Sequence, residues 1–249
     1  MNRETLTGAL TSAPPAWLRP PARRSGVVLS TRVRLARNLA GLPFPGRASA
    51  ETRATVYRRV TDALAAAGSL KPLVRCEMSE LTALERQVLA ERQLASRELC
   101  RSGRGSGVVV DRGQRVSVMI NEEDHIRVQV LSGGLDIGAT RERANELDDA
   151  LGAELEFATS DRLGYLTACP TNVGTGMRLS VMLHLLGLTL TEQMPPLLRG
   201  AAQLSLAVRG LFGEGSDYVG SVFQVSNQST LGEDEAAIAA RLEGVVRQL

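Results

Sequence analysis

Three stretches of this 249-residue sequence bring together side chains able to bind anions or move protons. In the first, Asn121-Glu122-Glu123-Asp124-His125-Ile126-Arg127 sets three carboxylates in a row at a strand end. Neighbouring carboxylates repel, so the ordinary account of such a triplet is a solvated turn. Its setting argues for more, because strand ends are common places for sites and Arg127 follows on the next strand. In the second stretch, Thr167 through Met182, Gly174 and Gly176 stand with Thr171 and Thr175 just before Arg178. Backbone donors and hydroxyls so gathered can cradle an anion. Cys169 lies in the same stretch, where arginines can activate a thiol, although a buried inert cysteine is the commoner case. The third stretch, Arg209-Gly210-Leu211-Phe212-Gly213-Glu214-Gly215-Ser216, is a glycine-rich loop after a strand. Its glycines allow Glu214 to swing over a ligand, and a plain surface hairpin is the competing account.

The basic residues narrow the chemistry. Of 29 lysines and arginines only Lys71 is a lysine, a bias that a GC-rich genome explains without any function. Lys71 sits in Leu70-Lys71-Pro72, which fits neither the Gly-Lys-Ser/Thr ending of a P-loop nor the strand lysine of protein-kinase-like folds. A bound nucleotide would have to be held by arginines. A net charge of +2 and 3% aromatic residues provide neither the field nor the stacking platforms of a nucleic-acid protein, and no membrane attachment is expected. Cys76, Cys100 and Cys169 are widely spaced, and His125 and His184 are the only histidines, so a zinc site is not expected. The odd cysteine count, with no signal peptide or long apolar run in the sequence, points to a reducing, cytoplasmic setting.

The elements that must position these groups follow from periodicity. Pro14, Pro15, Pro20 and Pro21 flank Trp17 in residues 1–24, which reads as an extended arm pinned by the indole. Val27 to Leu29 reads as a strand running into Ser30-Thr31-Arg32-Val33-Arg34, where alternation puts Arg32 and Arg34 on one face. Helices are expected at 49–67, opened by Ser49 and closed by Gly68, and at 79–99, 136–151 and 233–248. A hairpin spans 108–121, and further strands are expected at 126–130, 155–158, 165–168, 203–208 and 219–225. The glycines between 103 and 107 precede a strand instead of opening a helix, so they read as a turn. Clustered strands predict an α+β fold, a mainly antiparallel sheet flanked by helices, with 25–249 as one domain behind the arm.

Ser30 to Asn38, Asn121 to Arg127, Cys169 to Met182 and Arg209 to Glu214 resemble, in order, the four signature segments of the guanidino (phosphagen) kinase superfamily, whose catalytic domain is glutamine-synthetase-like. Leu35-Ala36-Arg37-Asn38, the Pro-Trp arm and Ser226-Asn227-Gln228 are most similar to the bacterial protein-arginine kinase branch (McsB type). The resemblance implies an ATP site with Arg32, Arg34, Arg127, Arg178 and Arg209 on the phosphates. The flanking residues of the same segments, Ser30, Thr31, Val33, Leu179, Ser180, Val181, Met182, Gly210, Leu211, Phe212, Gly213 and Glu214, are included in it. Glu123 is implied as the principal catalytic carboxylate, Glu214 as the second, and Cys169 as a positioning contact to an acceptor guanidinium. Glu122 and Asp124 are expected to be structural. Mg2+ is implied as held mainly through phosphates and water. The implied acceptor is an arginine exposed on a protein, with a stress-response repressor, an activating adaptor and a Clp-type protease as further partners.

The sequence departs from that family at four places. It has only an arm where small-molecule guanidino kinases carry a helical domain, and it ends at Leu249, where bacterial relatives continue into a regulatory region. Gln93 stands where relatives often have a histidine near the nucleotide, and Phe212 where they have tyrosine or arginine. A kinase for free arginine or another small guanidine, and a non-catalytic nucleotide-binding regulator, are the alternative functions.

Overall fold

Alternation along one central strand decides the architecture. The computed structural model describes residues 4–19, 26–68, 70–210 and 219–249. Helix α1 (Glu4–Thr11) and a 3-10 turn, Ala16–Leu18, lead to β1 (Val28–Arg37), and α2 (Ala50–Ala67) follows. Then come β2 (Pro72–Glu77), α3 (Ala83–Glu91), α4 (Arg97–Arg101), β3 (Gly107–Asp111), β4 (Val116–Ile120), β5 (Ile126–Gly133) and α5 (Ile137–Glu154). The short pair β6 (Thr159–Ser160) and β7 (Gly164–Tyr165) precedes β8 (Met177–His184). The chain continues through α6 (Leu186–Leu190), α7 (Met194–Gln203), β9 (Leu206–Gly210), β10 (Val222–Asn227) and α8 (Glu235–Gln248). Eight strands form one sheet in the order β2-β3-β4-β5-β1-β8-β10-β9, with antiparallel neighbours throughout.

Successive side chains on a strand point to opposite faces. Val33 and Leu35 therefore enter a large core with Val128, Leu179, Val181 and Val225, covered by residues of α2, α5 and α8. Val108, Val110 and Met119 point the other way, into a smaller core with residues of α1, α3 and α4 over the β2-β3-β4 end. Arg32 and Arg34 share that second side of the sheet, where α1, α3 and α4 lie over the β2-β3-β4 end and the short turn Ala16–Leu18 packs against β5 and β1. An open polar floor results.

Several expectations need correction. The arm is not wholly extended: Glu4–Thr11 is helical, Leu10 is fully buried in the smaller core, and Gln114 Nε2 donates to Leu10 O at 3.1 Å. The prolines that suggested extension begin only at Pro14, after the helix has ended. The helix expected at 79–99 is broken into α3 and α4 at Gln93, which has φ 58°, with Leu94 N and Ala95 N both turning back to Leu89 O. Strands β2 and β8 and helices α6 and α7 were not anticipated. Residues 155–158 form no strand beyond the Leu39–Phe157 bridge, β7 stops at Tyr165, and β9 starts late because α7 runs to Gln203. The caps of α2 are as expected: Ser49 accepts from Thr52 N, and Gly68 closes the helix at φ 60°.

Two buried polar clamps fix the floor to what surrounds it. At the end of β1, Arg37 is 1% exposed and donates to Asp148 Oδ2 on α5 from Nε at 3.1 Å and Nη2 at 2.7 Å. Its Nη1 donates to Ala36 O and Thr175 O, and its guanidinium lies 3.5 Å from the Tyr165 ring centroid. Burial pushes the Asp148 carboxyl up from its ordinary value, against the opposing pull of Arg37. The second clamp holds the turn between β4 and β5. Asn38 Nδ2 donates to Asp124 Oδ1 at 2.7 Å, and Asn38 Oδ1 accepts from His125 N at 2.9 Å. Asp124 Oδ1 also accepts from Ala168 N at 2.7 Å. The His125 ring, fully buried, accepts from Leu39 N through Nδ1 and meets Pro43 O through Nε2, an arrangement that suits neutral imidazole with the proton on Nε2.

Each clamp has a measurable consequence. Arg37→Met should destabilise the fold by about 3–5 kcal/mol in urea unfolding, because Asp148 is left buried and unpaired. Adding Asp148→Leu should recover much of that loss. Burial, with Arg59 assisting and the Pro43 hydrogen bond opposing, lowers the His125 pKa below 6.5. The unfolded chain then takes up this proton first as pH falls, so the contribution of His125 is complete above about pH 6.5 and drains away below it, by at most about 1.4 kcal/mol per pH unit. Unfolding free energies from pH 7.5 to 5 should show a shallower decline in His125→Gln than in wild type.

Candidate functional site

The floor is a row of arginines. Sheet register sets Arg34 directly between Gln129 on β5 and Arg178 on β8, and it pairs Ala36 with Arg127. Arg32 faces Ser180, and Arg209 on β9 faces Gln224 on β10. Like charges opposite one another across a ladder are destabilising, and the effect shows in the ionisation of these groups. Burial, then the charges of Arg127 and Arg178, bring Arg32 down to about 10. Burial, then Arg32, Arg127 and Arg178, hold Arg34 well below the ordinary guanidinium value, with Glu122 opposing. Arg34 Nε is buried with no hydrogen-bond partner among the described residues. Neutral donors and acceptors meet part of the need: Arg32 donates to Gln224 Oε1 at 2.5 Å and to Ser180 Oγ at 3.4 Å.

A cleft of about 860 Å3 lies over this row. Arg32, Arg34, Arg127, Arg178 and Arg209 line it together with Glu123 and Cys169. Glu123 is the one carboxylate of its triplet that faces outward, 47% exposed, and its Oε2 lies 3.0 Å from Arg127 Nη2. Glu122 is turned inward, where it accepts from Ser96 Oγ and forms an ion pair with Arg127. Asp124 is buried in the Asn38 clamp. For Arg127 burial alone would lower the pKa, but Glu122, Asp124 and Glu123 outweigh it and the net shift is upward. The carboxylate that three adjacent acids seemed to leave in conflict is thus resolved by two turning in and one turning out. Cys169 Sγ lies 3.0 Å from Thr171 Oγ1, and Arg178 Nη2 reaches Thr171 Oγ1 and Asn172 Oδ1 at 3.4 Å.

Other residues of the same segments have different surroundings. Val33, Leu179 and Val181 are packed in the large core, since a contiguous motif on a strand covers both faces. Thr31 is buried and works within the fold, donating to Gly134 O at 2.7 Å and accepting from Asp136 N at 3.1 Å. Ser30 and Met182 are buried partners across β1 and β8, and Gly210 pairs with Phe223. Leu211, Phe212, Gly213 and Glu214 lie outside the described residues.

The glycine-threonine stretch is divided: Thr171 and Gly176 line the cleft, while other donors of the stretch turn inward. Gly174 N donates to Tyr165 O and Thr175 N to Thr230 O, so those donors are engaged inside the fold. The glycines serve close approach: at φ 114° a Cβ on Gly174 would run into the Thr230 carbonyl, and at φ 65° one on Gly176 would stand 2.5 Å from Arg37 Nη1. Sequence reasoning also passed over Gln129 and Gln224, which line the cleft. Alternation held the clue, because Gln129 shares a strand face with Arg127 two residues earlier.

Comparison with known proteins agrees with this geometry. The pattern of the family described as "ATP:guanido phosphotransferase, C-terminal catalytic domain" matches residues 55–249. Among curated relatives, the "Protein-arginine kinase" of Halothermothrix orenii is 46% identical over 94% of this chain and 66% of its own. That of Pelotomaculum thermopropionicum is 42% identical over 98% of this chain and 70% of its own. The chain thus spans about two thirds of the length of the curated relatives it matches. A taurocyamine kinase from Schistosoma mansoni with bound transition-state analogue components superposes with a TM-score of 0.82 at 27% identity, over 92% of this chain and 33% of that one. A lombricine kinase gives a TM-score of 0.80 at 27% identity, over 93% of this chain and 67% of that one. With the family pattern covering most of its length and such relatives beside it, the chain belongs to the ATP:guanido phosphotransferase family.

Proposed function

We propose that this protein is an ATP-dependent protein-arginine kinase, transferring the γ-phosphoryl group of ATP to a guanidinium nitrogen of an arginine side chain in another protein. The observation that carries the proposal is the shared cleft, in which the five arginines of the sheet row and the outward Glu123 line one space. Guanidinium groups pair with phosphate oxygens bidentately and keep their charge, so this row suits a polyphosphate without any lysine. The repulsion among Arg32, Arg34, Arg127 and Arg178 is relieved when a polyanion enters between them. Phosphoryl transfer asks chiefly for alignment and charge neutralisation, and both are built into the sheet before substrate arrives.

The acceptor side falls to Glu123. A guanidinium is a poor nucleophile because its lone pairs are delocalised and its pKa is above 12. Glu123 would orient it by a carboxylate–guanidinium pair of the kind it now makes with Arg127. As the N–P bond forms and the bond from Pγ to the ADP oxygen breaks, the nitrogen gives a proton to that carboxylate. Cys169 is assigned a positioning contact and Glu214 the second grip on the acceptor. The described residues hold no group of three His, Cys, Asp or Glu able to hold a metal ion. Mg2+ fits this site through phosphate oxygens and water, where it would neutralise charge on the β- and γ-phosphates.

A protein acceptor is favoured by the curated relatives named protein-arginine kinases, and by a site whose key carboxylate is half exposed. Residues 25–249 would form the catalytic unit, with the arm packed against it. The three free cysteines suit a reducing, cytoplasmic location, and no helix among the described residues is long and apolar enough to cross a membrane. A repressor, an adaptor and a Clp-type protease are the partners the family resemblance suggests.

The deciding experiment incubates the protein with Mg-ATP and either an arginine-rich protein or free arginine, and measures acid-labile phosphate on each acceptor. Label on the protein acceptor is expected. Label on free arginine alone would make it a small-guanidine kinase, and label on neither, with ATP bound, would make it a nucleotide-binding regulator. Glu123→Gln should cut the transfer rate by about 100-fold or more while ATP affinity stays within a few fold. Arg34→Ala should instead weaken ATP binding, seen by calorimetry.

A further inference from the structure

The arginine row accounts for only part of the cleft. Beyond Gln129, on the side toward the arm, the lining includes Trp17, Gln93, Ala90 and Ala95, and Glu91, Arg97 and Glu98 of the same segment also line the cleft. Gln129 lies two residues from Arg127 on one strand face and directly opposite Arg34, so this region adjoins the arginine row. Its geometry is fixed. Gln129 Nε2 donates to Gln93 O at 2.6 Å and to Ser117 Oγ at 3.1 Å. The left-handed turn at Gln93 is thereby tied to the sheet. The 3-10 turn that carries Trp17 packs over β5 and β1, the strands bearing Arg127, Arg32 and Arg34.

Trp17 is only partly buried, and its Nε1 has no hydrogen-bond partner among the described residues. Packing alone therefore holds the indole. The arm around it is anchored independently, through Leu10 in the smaller core and through Arg92, which donates to Ala13 O at 2.9 Å. A flat apolar ring, small alanine surfaces and two carboxamides next to a polycationic row match a ligand with a planar heterocycle attached to phosphates. They match an aliphatic chain poorly, since polar groups share the lining.

We propose that Trp17 is a base-contacting residue, so that the arm forms part of the nucleotide site with the indole against the adenine ring. This rests on the ATP-site reading above and adds to it an element outside the catalytic strands. The arm then contributes to discrimination between a nucleotide and a bare polyphosphate, which the arginine row cannot tell apart.

Trp17 is the sole tryptophan of the chain, so its emission reports on this contact directly. Mg-ATP and Mg-tripolyphosphate would each be titrated by calorimetry and by tryptophan fluorescence on the whole chain. ATP should change the emission over the same concentration range in which calorimetry detects binding, and tripolyphosphate should bind with little emission change. Trp17→Ala should weaken ATP about tenfold, as expected for loss of one base–aromatic stack, and leave tripolyphosphate affinity unchanged. Trp17→Phe, which keeps an aromatic ring at this position, should retain most of the ATP affinity and guards against a folding defect in the alanine variant. ATP binding without an emission change, or equal weakening of both ligands by Trp17→Ala, would overturn the inference while leaving the ATP site intact. Failure of wild type to bind ATP at all would overturn the ATP-site reading and this inference with it.

Discussion

Mutual repulsion among guanidinium groups, fixed on one face of a sheet, is the constraint on which the rest of this protein depends. Arg34 and Arg178 stand opposite each other across β1 and β8, with Arg32 and Arg127 close enough to shift the ionisation of their neighbours. No surface chain could hold four such groups together. They are held because the alternate residues of the same strands, Val33, Leu35, Val128 and Leu179, are locked in the large core on the other face. Moving any strand by one residue would exchange the two sets, burying charge and exposing the core, so register is specified strongly. The hydrophobic effect thus supplies the work of concentrating positive charge.

The same logic explains the polar clamps. A site held only by its sheet would have a floor but no walls. Arg37, on the other face of β1 from a neighbouring residue, ties the strand end to α5, to Tyr165 and to Thr175 in the segment that carries Cys169. Asn38, one residue on, ties it to the turn that carries Glu123. Two adjacent residues, one ending β1 and one just after it, therefore position Glu123 and the segment of Cys169 relative to the arginine row. The cost is a buried ion pair and a buried neutral histidine, each sensitive to loss of its partner.

Much of the fold was legible because its signals were local. The caps of α2, the hairpin of β3 and β4, the α5 and α8 helices and the antiparallel class follow from periodicity and turn residues. Strand β8 is written in the sequence too, since Met177, Leu179, Val181 and Leu183 alternate with Arg178 and Ser180, although the glycines just before it give a competing loop signal. The break between α3 and α4 was not legible: Gln93 takes a left-handed backbone conformation without being glycine, and its reward is the Gln129 hydrogen bond from a distant strand.

By itself the sequence determined which residues could do chemistry: arginines without a usable lysine, a carboxylate triplet, and alternation that pairs Arg32 with Arg34. Residue identity and spacing along one strand are local facts, and they survive without knowledge of what lies across the sheet. Only the tertiary structure decided that Glu123 alone of its triplet turns outward, that Gly174 and Gly176 make room for the Thr230 carbonyl and Arg37, and that Trp17 comes to the far end of the arginine row. Each of those depends on a partner many residues away, whose position is set by strand order and packing and cannot be read from neighbours in the chain.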